Sequence, residues 1–122
     1  MTEKDAYETG LLVSQAYRRF VDDFADVTGR TWANLDEDQA RVLLALLGLN
    51  GEIGEVTELF KKHLFHGKPL DRDDLRKEMG DVLWYFTLLC LEQNVSIPEL
   101  LVENMKKLCK RYDRDLNAYW HA

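Results

Sequence analysis

Two acidic pairs, Glu52-Ile-Gly-Glu55 and Glu78-Met-Gly-Asp81, each place carboxylates three residues apart beside a strongly apolar run. Residues three apart on a helix differ by about 60° in azimuth and ~4.5 Å in rise, so both side chains of a pair can turn to one cation. Spacing alone is weak evidence. With 22 acidic residues in 122, chance gives about four such pairs, and the chain has six. Context separates them. Glu52 and Glu55 follow Val42-Leu-Leu-Ala-Leu-Leu-Gly-Leu49, and Asp81 precedes Val82-Leu-Trp-Tyr-Phe86. The other pairs, such as Asp5/Glu8 and Asp71/Asp74, sit at polar helix starts or on solvated faces. Carboxylates beside a core are costly unless compensated, and a hard divalent cation compensates them. An all-carboxylate set suits Mg²⁺, with Mn²⁺ as a substitute. No histidine stands three residues after Glu52, Glu55, Glu58 or Glu78, which disfavours a di-iron site. On the residues alone, metal binding and surface salt bridging both remain open.

Basic partners occur at helical offsets. Lys62 lies seven residues after Glu55 and shares its face, whereas Lys61 points about 100° away. Asn104, Lys107 and Arg111 fall at i, i+3, i+7 and flank an apolar stripe, so they can border a cleft. Amide, ammonium and guanidinium groups together suit a polyphosphate chain. A solvated basic face near a helix end is the competing reading. Trp32, Trp84 and Tyr85 are the candidates to stack on a base. Of these Trp32 falls in a loop, while Trp84 and Tyr85 read as core. His63 and His66 read as helix-end residues rather than ligands. No Walker-type loop, GxSxG or Cys/His nucleophile arrangement is present.

The elements that must position these groups are four helices, with no convincing strand. The first spans about 5–26, where Val13, Ala16, Tyr17, Phe20, Val21 and Phe24 follow the helical template. After a loop over 29–35, the second runs from about Asp36 to Phe65, with acids at its start and Lys61, Lys62 and His63 at its end. Gly67-Lys-Pro69 stops it. The third runs from about Asp71, a good N-cap, to Asn94, and the fourth starts at the capping pattern Ser96-Ile-Pro-Glu99. Gly48, Gly51 and Gly54 imply a slim face on the second helix or a break near Asn50-Gly51. The expected fold is all-α, a four-helix bundle-like core in one domain over 1–122, its motif-bearing part about 36–115.

Bulk properties narrow the class. A net charge of −6 argues against a general nucleic-acid binder, though a local basic cluster and a metal can invert the field at a site. Cys90 and Cys109 lack CxxC spacing, so neither a zinc site nor a disulfide framework is expected, and a cytoplasmic setting is the simpler reading. The N-terminus has no apolar leader, and the Val82–Leu91 run is too short to span a bilayer, fitting a buried helix instead; no membrane partner is expected.

Taken together, Gly48-Leu-Asn-Gly-Glu-Ile-Gly-Glu-Val56, Lys61-Lys-His-Leu-Phe-His-Gly67, Glu78-Met-Gly-Asp-Val-Leu-Trp-Tyr85 and Asn104-x-x-Lys107-x-x-x-Arg111-Tyr112 resemble the MazG-like nucleoside triphosphate pyrophosphohydrolases. The resemblance covers about Leu44 to Tyr112. It implies an all-α, Mg²⁺-dependent enzyme that splits nucleoside triphosphates into monophosphate and pyrophosphate. It assigns metal binding and catalysis to Glu52, Glu55, Glu78 and Asp81, and phosphate contacts to Lys62, Asn104, Lys107 and Arg111. It also implies a homodimer or homotetramer with sites built between protomers, and one module rather than the tandem form. Phosphoribosyl-ATP pyrophosphohydrolases and dimeric dUTP pyrophosphatases are the alternatives within the superfamily. The former usually carry Ala-Asp where this chain has Gly80-Asp81. Outside it, the competing class is a non-enzymatic helical oligomerisation module.

Overall fold

A computed structural model describes residues 2–25 and 34–120. These divide between two compact units, Met1–Leu35 and Asp36–Ala122. Every regular element in the described residues is helical, as the periodicity predicts.

The first unit holds α1 (Glu3–Ala25). Thr2 and Asp5 cap it reciprocally. The Thr2 N–H donates to Asp5 Oδ2 at 2.9 Å, and the Asp5 N–H donates to Thr2 Oγ1 at 3.1 Å. This box starts the helix earlier than its apolar stripe requires. Tyr17, Phe20 and Phe24 form a ladder along the stripe, with ring centroids 6.0 and 4.5 Å apart.

The second unit holds α2 (Glu37–His66), α3 (Arg72–Glu92), α4 (Ile97–Tyr112) and a 3-10 turn over Leu116–Tyr119 that the sequence reading did not anticipate. Asp36 and Gln39 make a full capping box at the start of α2. The helix then runs unbroken through Asn50-Gly51, where the Asn50 side-chain amide donates to the Leu46 carbonyl at 2.9 Å. At its end Gly67 takes a left-handed φ of 64°, which lets the Lys68 N–H close onto the Lys62 carbonyl at 3.2 Å. The His63 Nδ1–H donates to the Lys68 carbonyl at 2.8 Å, so His63 is a helix-end residue as expected. Asp71 accepts from the N–H groups of Asp73 and Asp74 and starts α3. The helix ends at Glu92, two residues before the expected Asn94, with Gln93 as its C-cap and Asn94 at φ 53° just beyond.

Helices α2 and α3 pack as an antiparallel hairpin. Facing residues keep one register. Arg41 meets Glu92, a Cβ on Gly48 would meet Tyr85, Glu52 shares a pocket with Asp81, and Glu55 contacts Glu78. As α2 advances, α3 retreats by the same number of residues. Along α2 the contacts Arg41, Ala45, Gly48, Glu52 and Glu55 recur at alternating steps of four and three, the seam of a coiled-coil pair.

The buried core of the described residues is small, comprising Ala45 and Cys90. The Val82–Leu91 run is therefore not wholly buried, contrary to the sequence reading. Cys90 is buried, but Leu83, Trp84 and Leu91 are exposed. Within the second unit, among the described residues, the helix that packs on α3 is α2. Among the described residues no helix is long and apolar enough to cross a membrane.

Candidate metal centre and adjoining aromatic pocket

Half-way along the hairpin the seam changes character. Beyond the Arg41–Glu92 ion pair it is apolar or small (Ala45, Gly48 against Tyr85), and its second half is acidic (Glu52, Glu55, Glu78). One carboxylate oxygen from each of these three acids lies within 4.8 Å of the others. The antiparallel register makes this possible, because each i, i+3 pair faces its counterpart across the seam.

The cluster lacks internal compensation. Oε2 of Glu52 and Oε2 of Glu78 are buried without a hydrogen-bond partner. Among the described residues no lysine or arginine pairs with Glu52, Glu55, Glu78 or Asp81; the ion pairs join Lys4 to Glu8, Arg41 to Glu92 and Lys61 to Glu58. Among the described residues the salt-bridging reading of these acids thus finds no cation. Hydrogen bonding to Glu78 raises the Glu55 carboxyl above the ordinary range, with the Glu78 charge, desolvation and the Asp81 charge adding to it. Glu78 is raised chiefly by its contact with Glu52, partly offset by Glu55, with desolvation and the charges of Glu52 and Asp81 behind. Like-charged oxygens at this spacing, two of them orphaned, are the donor set that a hard divalent cation satisfies.

Asp81 stands beside this trio rather than within it. With Glu52, Trp84 and Tyr85 it lines a pocket of about 330 Å³. Trp84 and Tyr85 meet edge to face, centroids 5.0 Å apart at 87°. Tyr85 is half-buried against α2, but Trp84 is 59% exposed at the mouth of the pocket, a correction to the sequence reading of it as core. Its exposure accords, among the described residues, with α2 being the helix that packs on α3. Trp32 lies outside the described residues.

The basic candidates are exposed and do not line this pocket. Lys62 sits two turns beyond Glu55 on α2. Asn104 borders a different groove of about 500 Å³ on α4, with Leu108, Cys109, Tyr112 and Tyr119 among its walls. The structure therefore brings the carboxylates and the aromatics together within one chain, and leaves Asn104, Lys107 and Arg111 on a separate helix. Sequence reasoning missed the pairing of Gly48 with Tyr85 and of Arg41 with Glu92. Seven-residue steps from Glu55 back to Gly48 and Arg41, matched by steps from Glu78 to Tyr85 and Glu92, were the available signal.

Residues 41–114 match the MazG nucleotide pyrophosphohydrolase domain. The chain belongs to that family. The MazG match takes in the carboxylate cluster, Trp84, Tyr85, Lys62 and the α4 stripe, and leaves α1 outside. The Gene 37 protein of Mycobacterium phage L5 is 38% identical over 72 residues, which is 56% of this chain and 63% of the phage protein. The dCTP pyrophosphatase 1 of Rattus norvegicus and that of Mus musculus are each 36% identical over 73 residues, 55% of this chain and 43% of theirs. The chain thus spans less than two thirds of the length of these relatives. No solved structure matches it significantly.

Proposed function

We propose that this MazG domain hydrolyses nucleoside triphosphates to the monophosphate and pyrophosphate, with a divalent cation held by Glu52, Glu55, Glu78 and Asp81. The observation that carries the reading is the uncompensated carboxylate trio set beside an aromatic pocket. Mg²⁺, when bound, neutralises phosphate charge and makes water a better nucleophile at neutral pH. The chain's own residues supply the rest. Water adds to phosphorus at the α–β bridge, the bridging P–O bond breaks, and pyrophosphate leaves. A carboxylate of the cluster, or Glu58 one turn further along α2, orients the water and takes its proton. Lys62, Lys107 and Arg111 neutralise the departing phosphates, and Asn104 holds a phosphate oxygen by hydrogen bonds. Trp84 and Tyr85 stack on the base.

Two features support a homodimer or homotetramer as the working form. The α4 stripe does not line the carboxylate pocket of its own chain. Leu47, Leu83 and Leu91 are 59%, 60% and 69% exposed, which leaves apolar helix faces for a second copy. The named relatives support deoxycytidine triphosphate as the first substrate to try, within a role in clearing deoxynucleotides or non-canonical nucleotides from the pool. A panel of triphosphates that includes dUTP, run beside phosphoribosyl-ATP, separates this reading from its superfamily alternatives.

The direct test is pyrophosphate release by Glu55→Gln and Asp81→Asn. Each isosteric change removes one carboxylate charge, and turnover is expected to fall at least about 100-fold. Wild-type turnover in both would refute the assignment.

A further inference from the structure

Gly48 is the α2 glycine at which another side chain occupies the place of a Cβ. A Cβ built there overlaps the Tyr85 ring at three of its carbons, whereas one at Gly51 or Gly54 meets nothing within 4 Å. Glycine in a helix interior is disfavoured against alanine, and at position 48 the Tyr85 ring fills the space that a Cβ would take. The ring has neighbours on its other sides. Trp84 stands edge-on to it at 5.0 Å, and Glu52 and Asp81 form the remaining walls of the pocket that both aromatics line. A methyl at position 48 lifts the ring off α2, and the movement displaces the aromatic walls of that pocket.

We infer that Gly48 is a positioning residue for nucleotide selection, acting through Tyr85 and touching no substrate itself. The inference rests on the proposed triphosphate hydrolysis and adds to it a determinant of how the nucleoside is seated. Gly48 lies one helical turn before Glu52, outside the carboxylate cluster. Its effect therefore falls on nucleoside binding rather than on the metal or the bond-breaking step.

The test is a double-mutant cycle of Gly48→Ala and Tyr85→Ala, with kcat and KM measured on one pyrimidine and one purine deoxynucleoside triphosphate, and Mg²⁺ binding followed by calorimetry. Gly48→Ala is expected to raise KM about tenfold on at least one substrate, so that the pyrimidine-to-purine preference changes, with kcat held within about threefold and Mg²⁺ affinity unchanged. In the Tyr85→Ala background the same methyl is expected to change KM less than about twofold, because the ring it displaces is gone. Helix propensity favours alanine, so a general stability effect predicts none of this. Unchanged KM in Gly48→Ala, or an equal rise in both backgrounds, overturns the inference. If Gly48→Ala fails to fold, a folded double variant with the KM of Tyr85→Ala supports it, and an unfolded double variant overturns it. Failure of wild type to turn over any triphosphate sinks the proposed activity and this inference together; wild-type activity with unaltered selectivity sinks the inference alone.

Discussion

Glu78 is where the chemistry of the cluster is most concentrated. It contacts both Glu52 and Glu55, carries a buried oxygen without a partner, and feels the charge of Asp81. Its proton affinity and that of Glu55 are raised in the metal-free protein. The folded chain therefore binds more protons than the unfolded chain above the ordinary glutamate value of about 4.3. Stability from these two groups is full below that value and is lost as pH rises through their folded pKa values. Asp5 works in the opposite sense, since its hydrogen bonds to Thr2 lower its pKa and its contribution fades as pH falls. In chelator, the melting temperature of wild type minus that of Glu78→Gln is expected to fall as pH rises from about 4 toward neutrality. With Mg²⁺ present the decline is expected to vanish, because the cation favours the ionised form. Scanning calorimetry across pH at fixed ionic strength checks both curves. A flat difference in chelator would mean that the carboxylates do not interact as described.

At the scale of elements, the hairpin of α2 and α3 is what holds the acids in place, and its register is fixed at both ends. Near one end the Arg41 guanidinium reaches Glu92 at 2.9 Å, and the Glu92 side chain is only 9% exposed. Arg41→Met keeps the length of the side chain but leaves that carboxylate nearly buried and unpaired. It is expected to cost about 1–3 kcal/mol in denaturant unfolding, with Glu92→Gln milder. Near the other end the turn depends on Gly67 in the left-handed region and on the Asp71 cap. These end signals were legible in the sequence, because capping is a local matter of residue type and position. Asp36, Gly67, Asp71 and Ser96 sit where the sequence alone puts the helix boundaries. Register was not legible in the same way. It depends on which residues of one helix meet which of the other, and Arg41–Glu92 and Gly48–Tyr85 are contacts between positions far apart in the chain. The spacing of the acids marked them as candidate ligands, but it did not show that they share one seam with Gly48 and Tyr85.

The described residues bury little apolar surface deeply. A domain of this size ordinarily encloses a sizeable core, yet Ala45 and Cys90 are the buried apolar residues described and Trp84, Leu83 and Leu91 face outward. Periodicity predicted the apolar stripes correctly and could not say whether the same chain or another one covers them, since both give the same pattern. That is why Trp84 read as core. Sedimentation equilibrium is expected to give a dimer or tetramer at micromolar concentration. Leu83→Glu and Leu91→Glu, which place charge on the uncovered face of α3, are expected to shift the population toward monomer and to lower activity with it. A monodisperse, fully active monomer would show that the exposed faces are not an assembly surface.

If the acidic seam serves α–β phosphate cleavage, the identity of the products reveals it. Phosphorus NMR of deoxycytidine triphosphate incubated with the protein and Mg²⁺ is expected to show the monophosphate and pyrophosphate growing in equal amounts, with no orthophosphate. Formation of the diphosphate with orthophosphate, or no cleavage of any triphosphate in the panel, would contradict it.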